Sequence, residues 1–239
     1  MPILRRRPRF PPVSWASPEG VIAVGGRPDA ETLKEAYSRG IFPWPHEDMP
    51  LLWFCPDPRF VLLPGEAHVG RSLRKEMRRG SLEVRADTAF RQVIRGCASR
   101  PRPKQDGTWI TEEMIAGYTA LHEEGLAHSV EAWQGDRLVG GLYGISLGAV
   151  FYGESMYAEA PNASKVAFAT LLANLVRWEF EMVDCQAYTD HLASFGAEEW
   201  PRARFLARLK RALQRPTRQG KWILELGAAE AAEALSSPS

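Results

Sequence analysis

Apolar and polar positions alternate most regularly in the second half of the chain, where they predict a compact series of elements. Thr111 caps the first of these, with two Glu in the first turn, where the helix dipole favours them. The predicted segments are a helix over 112–124, strands over 128–133, 138–145 and 149–157, a helix over 164–178 and a strand over 182–186. A three-strand meander between two helices, followed by one more strand, is typical of an α+β sheet with helices packed across it.

The first hundred residues contain shorter periodic segments, separated by Pro and Gly. The predicted strands cover 21–24, 51–54, 59–62 and 82–86, and the predicted helices cover 30–39, 72–79 and 88–98. Asp29 and Asp87 precede two of these helices and are predicted to be their N-caps. Residues 41–50 are predicted to form a loop.

The order of the predicted elements resembles the acetyltransferase-like (GNAT) superfamily fold. The predicted fold class is therefore α+β, with an acetyltransferase-like C-terminal domain over 64–239 and a smaller mixed N-terminal domain over 1–63. The polar segment 99–107 marks an alternative position for the domain boundary.

The composition restricts the class of protein. Lys and Arg total 30 against 29 Asp and Glu, so a surface for nucleic acid must be local. Three Cys with no metal-type spacing predict reduced thiols, a cytoplasmic protein and no metal site. The basic N-terminal residues are not followed by an apolar segment, so we expect neither a signal peptide nor a membrane span.

The segment 201–221 is strongly basic, with no acidic residue. Its basic residues are Arg202, Arg204, Arg208, Lys210, Arg211, Arg215, Arg218 and Lys221. An apolar stripe at helical spacing predicts an amphipathic helix there. A solvated helix face usually mixes charges of both signs, so this one favours a polyanionic partner over a merely solvated face. A second basic patch consists of Arg71, Arg74, Lys75, Arg78 and Arg79, and residues 227–239 are predicted to fray.

Three segments combine aromatic, glycine and polar residues more densely than an ordinary core does. They are GIFPW at 40–44, FYGESMY at 151–157 and DCQAYTDHLASFGA at 184–197. Asp184 and Gln186 follow a buried strand and are expected to point to the same side of it, with Cys185 on the other side as a buried thiol. Such a pair can polarise a substrate group, or it can satisfy buried polar groups nearby. His191 is expected to be structural.

No phosphate-binding loop is recognisable. Gly140, Gly141 and Gly144 lie within an apolar strand pattern, which indicates close backbone packing. The segment from Arg137 to Leu142 comes near the acyl-CoA pyrophosphate loop but reads as a strand. A protein with this fold and without that loop is expected to use another acyl donor.

From about Pro18 to Arg204 the chain is similar to the bacterial leucyl/phenylalanyl-tRNA–protein transferases. The matching segments are SPEGVIAVGGRPDAETLKEAYSRGIFPW, WFCPDPRFVL, FRQVIRGCA, TWIT, AYTALHEEGLAHSVEAW, LVGGLYGISLGAVFYGESMY, NASKVAF and DCQAYTDHLASFGA. Several are long, so chance matching is implausible. Leu142 stands where the family commonly has Met.

This resemblance implies transfer of leucine or phenylalanine, and less well methionine, from aminoacyl-tRNA. The acceptor is the α-amine of a protein that begins with Lys or Arg, and the product is degraded through the N-end rule pathway. The aminoacyl ester is already activated, so no cofactor is implied. The protein is expected to act as a monomer.

The resemblance also implies roles for particular residues. Asp184 attracts the amine and helps to remove its proton, Gln186 orients the amine or the ester, and Glu154 holds the cationic N-terminal residue or the terminal ribose. Trp44 and Trp109 serve the adenosine end, with Tyr37 and Tyr118 nearby. The apolar pocket candidates are Leu142, Tyr143, Phe151, Phe168 and Leu172, although the pattern favours an ordinary core position for each of them. The tRNA-binding candidates are Arg74, Lys75, Arg204, Arg208 and Arg211.

The residues alone leave several alternatives open. A protein group or the vicinal 2′-hydroxyl of the ribose could carry the proton from the amine. The other functions considered are an acyl-CoA-dependent N-acetyltransferase and a non-catalytic tRNA-binding protein. The missing pyrophosphate loop weighs against the first, and the polar groups on the sheet weigh against the second.

Overall fold

The structure, a computed structural model, describes residues 10–45, 49–99 and 110–235 and contains two β-sheets with helices around them. The strands are β1 Val21–Val24, β2 Phe42–Trp44, β3 Leu52–Phe54, β4 Arg59–Leu62, β5 Glu83–Ala86, β6 Ala127–Gln134, β7 Arg137–Leu147, β8 Val150–Ala158, β9 Met182–Gln186 and β10 Glu198–Trp200. The helices are α1 Ala30–Ser38, α2 Arg71–Arg79, α3 Phe90–Ala98, α4 Glu112–Glu123, α5 Ala163–Arg177, α6 Asp190–Ala193, α7 Arg202–Ala212 and α8 Ala228–Ala234.

The larger sheet has seven strands in the order β10-β4-β9-β8-β7-β6-β5. All of its neighbouring strands are antiparallel except β8 and β9, which run parallel and are joined through α5. The predicted helix, meander, helix and strand of the second half are confirmed as α4, β6 to β8, α5 and β9. A mixed sheet with helices on it is thus the architecture, and the order of its elements follows from the sequence periodicity.

The seven-stranded sheet lies between two apolar cores. One core contains Phe168 of α5 and Ala231 of α8, and the α2 residue Met77 also belongs to it. The other contains Tyr37, Tyr118 and Phe205 of helices α1, α4 and α7. Because helices cover both faces, the strands that carry the candidate site are buried on each side.

The small sheet, in the order β1-β3-β2, packs into the second of these cores through residues such as Trp53 and Phe42. Its strand β2 falls in the segment 41–50 that the sequence predicted to be a loop. The strand β10 was also missed, since three residues are too few for an alternating pattern. The strand β4, which precedes the predicted domain boundary at 63/64, pairs with β9 in the large sheet. The position of that boundary stays a prediction.

The prediction of a frayed tail was wrong for residues up to 235. Helix α8 forms there, with Ala228, Ala231 and Ala232 buried against α5 and α2. The Gly227 N–H donates to Glu230 and so caps the first turn. Small alanine side chains allow the helices to approach closely, a tertiary effect that composition alone does not show. Residues 236–239 lie outside the described part.

The predicted N-cap at Asp87 was also wrong, because helix α3 begins only at Phe90. The carboxylate that accepts hydrogen bonds from backbone N–H groups at this helix start, including that of Ala89, belongs to Glu131 on β6. Asp87 instead turns inward and accepts a hydrogen bond from the backbone N–H of Trp222 at 2.7 Å. A side chain from a distant strand thus replaces the local cap.

No helix in the described segments combines the length and apolar character that crossing a membrane requires. Within those same segments, no group of three or more His, Cys, Asp or Glu is placed to hold a metal ion. Cys55, Cys97 and Cys185 are all buried.

The glycines of β7 are required by close backbone packing, as predicted. A Cβ at Gly140 would lie 2.7 Å from the Cβ of Ala163, the first residue of α5. A Cβ at Gly144 would overlap the Phe151 ring and the Tyr152 carbonyl. Glycine therefore sets how closely α5 and the neighbouring strand approach β7.

We predict that Gly144→Ala lowers the free energy of unfolding by about 1–3 kcal/mol, because the added methyl overpacks the sheet. Gly153→Ala is the matched control, since Gly153 is the residue opposite Gly144 in the β7–β8 ladder. Its added Cβ would have its nearest neighbours at 3.8 and 4.0 Å, ordinary contact distances. Urea unfolding of both variants measures the difference. Equal losses would contradict the packing explanation.

Candidate active site

A cavity of about 720 Å³ opens where β7, β8 and β9 meet the start of α5, the helix α6 and strand β2 of the small sheet. Its walls include the apolar side chains of Leu142, Met156 and Phe168. Two polar residues, Glu154 and Gln186, also line it. An apolar chamber with a few convergent polar groups is the usual form of a small-ligand site.

Glu154 on β8 is the centre of a buried polar cluster. Its Oε1 accepts a hydrogen bond from the Tyr37 hydroxyl on α1 at 2.7 Å, and its Oε2 accepts one from the Tyr118 hydroxyl on α4 at 2.7 Å. The two tyrosine hydroxyls are also 2.7 Å apart. Gln186 on β9 donates from Nε2 to Oε1 at 2.7 Å. Three elements thus each bring one polar group to the carboxylate that β8 carries.

Burial controls the ionisation of this cluster. Desolvation raises the pKa of Glu154 from 4.5 to about 7, and the nearby charge of Asp184 adds to the rise. The hydrogen bonds from Tyr37, Tyr118 and Gln186 act in the opposite sense. Burial, with the Glu154 charge next, raises the pKa of both tyrosines well above 10. Both phenols therefore keep their protons at any physiological pH.

Arg59, the first residue of β4, forms a buried ion pair with Asp184 on β9. Its Nε and Nη2 donate to the two carboxylate oxygens at 2.7 and 2.6 Å, and both side chains are 0% exposed. The guanidinium lies between the rings of Phe42 and Phe205, 4.7 and 4.6 Å from their centroids. Sequence reasoning missed Arg59, although one basic residue before the apolar run at 60–62 was a usable signal.

Asp184 and Gln186 both point toward the core of Tyr37 and Phe205, as expected, Asp184 through its bonds to Arg59 and Gln186 through its bond to Glu154. Asp184 faces Arg59 and does not line the cavity, whereas Gln186 and also Cys185 do. Gln186 has a left-handed backbone with φ of 64°, so the regular strand conformation ends at this residue. Asp184 supports this turn, since its Oδ1 accepts the Gln186 N–H at 3.0 Å. Burial raises the pKa of the Cys185 thiol, which fits the expected inert residue.

The other predicted pocket residues separate into two groups. Leu142, Tyr143, Phe168 and Trp44 line the cavity, and Trp44 contacts the rings of Phe42 and Phe54. Phe151 instead packs against Trp222, Leu172 lies in the core, and Tyr37 and Tyr118 lie behind Glu154. Trp109 lies outside the described residues.

The two predicted basic patches lie on opposite layers of the fold, since α2 packs in the core of α5 and α7 in the core of α1 and α4. On α2, Arg74 is half-buried and Lys75 is exposed. On α7, Arg204 stacks on Trp200 at 3.7 Å, Arg208 forms a 2.7 Å ion pair with Glu181, and Arg211 is exposed. Of these, Lys75 and Arg211 are the most open to a polyanion.

His191, on α6, also lines the cavity. Burial, with the charge of Lys165 as a smaller cause, lowers its pKa from 6.5. Its ring contacts Phe195 in an edge-on arrangement. The structural role expected from the sequence stays a prediction.

Comparisons with known proteins match the chain to one family. The family model described as leucyl/phenylalanyl-tRNA protein transferase matches residues 61–210, and the model of its N-terminal domain matches residues 26–57. A leucyl/phenylalanyl-tRNA–protein transferase of Myxococcus xanthus is 62% identical over 213 residues, which are 89% of this chain and 91% of the relative. One of Anaeromyxobacter dehalogenans is 57% identical over 227 residues, 94% and 97% of the two chains.

Among solved structures, L-PGS from Bacillus licheniformis matches with a TM-score of 0.38 and 9% identity, over 72% of this chain and 57% of that one. The two family models together cover most of the described residues. The chain therefore belongs to the leucyl/phenylalanyl-tRNA–protein transferase family and is an aminoacyltransferase.

Proposed function

We propose that the protein transfers leucine, phenylalanine and, less well, methionine from aminoacyl-tRNA to the α-amine of proteins that begin with Lys or Arg. Addition of such a residue would mark the acceptor for N-end rule degradation. One observation carries the proposal: the cavity joins an apolar chamber to the Glu154–Gln186 pair. Family membership does not favour the N-acetyltransferase or the non-catalytic alternative.

The proposed reaction depends more on aligning the donor ester with the acceptor amine than on activating either of them. The donor is an ester and the nucleophile is an α-amine with a pKa of about 7.7–8.0, so part of it is neutral at cellular pH. Attack on the ester carbonyl forms the peptide bond, and the ribose oxygen leaves with a proton that comes ultimately from the amine. Gln186 presents an amide to the cavity beside the Glu154 carboxyl, where it can orient the amine or the ester. Either Glu154 or the vicinal 2′-hydroxyl can relay the proton.

The cavity walls suit the proposed donor. Leu142, Met156 and Phe168 can surround an unbranched or γ-branched apolar side chain, where one methylene is worth about 1–3 kcal/mol of discrimination. Trp44 lies in the same lining and offers a ring on which the 3′ adenine can stack, for about 1–3 kcal/mol. The basic residues of α7 and α2 would contact the phosphates of the tRNA.

Asp184 and Arg59 act in this proposal as positioning residues. The Asp184 carboxylate is fully buried and ion-paired, so it reaches the reaction through the Gln186 backbone that it holds. Removing it would leave Gln186 free to abandon a left-handed conformation that non-glycine residues rarely adopt.

Three further parts of the proposal concern organisation. We assign residues 64–239 to an acetyltransferase-like domain and 1–63 to a smaller domain, on the order of the elements. The protein would act as a monomer in the cytoplasm. Free, buried thiols at Cys55 and Cys185 suit a reducing compartment.

The direct experiment is a transfer assay with radiolabelled leucyl-tRNA and a peptide that begins with Lys. Label should enter this peptide and an Arg-initiated one, but not an Ala-initiated or an N-acetylated version of the same sequence. Acetyl-CoA replaces the charged tRNA in a parallel reaction. Acetylation of the peptide without leucine transfer would overturn the proposal in favour of the N-acetyltransferase.

The positioning role of Asp184 generates a prediction for a double variant. Asp184→Asn leaves Arg59 buried without its counter-ion and should lower the free energy of unfolding by about 3–5 kcal/mol. Arg59→Met combined with Asp184→Leu removes both charges and should recover most of that stability. Its kcat should remain about 100-fold below that of the natural protein, because Gln186 has lost its anchor.

Urea unfolding and the peptide transfer assay give the two measurements on the same preparations. Recovery of kcat together with stability would show that the ion pair serves only folding.

The exposed basic residues of α7 generate a second prediction. Arg204→Gln with Arg211→Gln should weaken tRNA binding and reduce the slope of log K against log salt by about 2, because each phosphate contact releases counter-ions. Transfer from aminoacyl-adenosine, which lacks the acceptor stem, should change little. Arg91→Gln with Arg137→Gln is the matched control, since these exposed residues carry the same charge on other elements. An equal effect of both double variants would show that the salt dependence follows the net charge of the protein and not phosphate contacts made by α7.

A further inference from the structure

The three contacts among Tyr37, Tyr118 and Glu154 raise a question of proton number. Tyr37 and Tyr118 are 2.7 Å apart, and each is 2.7 Å from one oxygen of Glu154. This is the normal separation of two oxygens that share a hydrogen-bonded proton. Three such contacts require three protons.

An ionised Glu154 supplies none of them. The two phenols then have two protons for three contacts, because a phenol has only one O–H. If both donate to the carboxylate, the two phenol oxygens meet at 2.7 Å with no proton between them, and their lone pairs repel. A fully buried group cannot correct this with water, since Tyr37 and Tyr118 are each 0% exposed.

A protonated Glu154 supplies the third proton and closes the ring. Its hydroxyl can donate to Tyr118, Tyr118 to Tyr37, and Tyr37 to the remaining carbonyl oxygen. Gln186 still donates to that carbonyl oxygen from the cavity side. Every short contact then has one donor and one acceptor, as buried polar networks require.

The surroundings of Glu154 favour the same form. The charged and titratable groups around it come from every element packed there. They are Tyr37, Tyr118, Tyr143, Asp184, Cys185, Tyr188, Arg59, Lys165 and His191. The Arg59 charge is already matched by Asp184, whose own charge disfavours a second buried anion. Desolvation raises the pKa of Glu154 to about 7, in agreement with the proton count.

We propose that Glu154 is a neutral carboxylic acid in the empty enzyme and releases its proton to solvent when the cationic N-terminal residue of the acceptor binds. This rests on the proposed function, because the acceptor supplies the cation. The O–H bond of the acid breaks, the proton leaves to solvent, and the new carboxylate pairs with the Lys or Arg side chain. An N-terminal residue with an uncharged side chain cannot offset the cost of burying the anion. With such an acceptor, Glu154 keeps its proton and the hydrogen-bonded ring stays intact.

Carbon-13 labelling of glutamate side chains tests the ionisation directly, with the Glu154 signal assigned by its loss in Glu154→Gln. In the free protein this carboxyl should titrate near 7. A saturating Arg-initiated peptide should lower the midpoint by at least one pH unit, and an otherwise identical Ala-initiated peptide should not. A midpoint near the ordinary value of about 4.3, or an equal response to both peptides, would overturn the proposal.

The Tyr118→Phe variant provides a second test, because the two arrangements predict shifts of the Glu154 pKa in opposite directions. If Tyr118 accepts the proton of the acid, its loss should lower the pKa of Glu154, because the neutral form loses two hydrogen bonds of the ring. If Tyr118 is an ordinary donor to a carboxylate, its loss should raise that pKa. A rise would overturn the ring.

Kinetics supply the readout during turnover. Between pH 5.5 and 6.5, log kcat/KM for the Arg-initiated peptide should rise with a slope of about 2, since both Glu154 and the amine must lose a proton. Glu154→Gln, whose amide can replace the acid in the ring, should show a slope of about 1. His191→Gln controls for the histidine in the cavity lining and should keep a slope of about 2. Equal slopes in the natural protein and Glu154→Gln would count against the inference.

These results can be separated from a failure of the proposed function. If leucine transfer to every peptide is absent at pH 8, the proposed function fails. The titration of Glu154 in the free protein and the pKa shift in Tyr118→Phe would still test whether Glu154 is protonated in the hydrogen-bonded ring.

Discussion

The buried ion pair between Arg59 and Asp184 is the interaction on which the rest of the site depends. It joins β4 to β9, and the rings of Phe42 and Phe205 enclose the guanidinium from the small sheet and from α7. Four elements therefore meet on one charge pair that water does not reach. Desolvation makes such a pair expensive to form and very damaging to break, so its geometry is strongly fixed.

That fixed geometry extends to the polar cluster in the cavity. Asp184 anchors the left-handed turn at Gln186, and Gln186 in turn donates to Glu154. On the other side, Tyr37 and Tyr118 hold the same carboxyl. A chain of short hydrogen bonds in a medium of low polarity aligns its members closely, which is what a reaction that depends on alignment requires.

Because of the same low polarity, Glu154 ionises only when a cation lies beside it. Arg59 is already committed to Asp184, so in the proposal the substrate supplies the counter-charge. A neutral acid that ionises only beside a cation selects for charged acceptors without a permanent buried charge. Selection of the acyl group and selection of the acceptor thus use different physics in one cavity: shape and apolar contact for the first, and ionisation for the second.

The sequence by itself determined the elements of the second half and the identity of several cavity residues, including Glu154 and Gln186. Periodicity is local, and strands β6 to β9 with α4 and α5 are long enough to show it. The family resemblance added the function. Only the tertiary structure decided that Asp184 faces Arg59 rather than the cavity and that Glu131 caps α3. Those facts depend on residues far apart in the chain, whose contacts are selected by burial and by the need to satisfy each buried polar group.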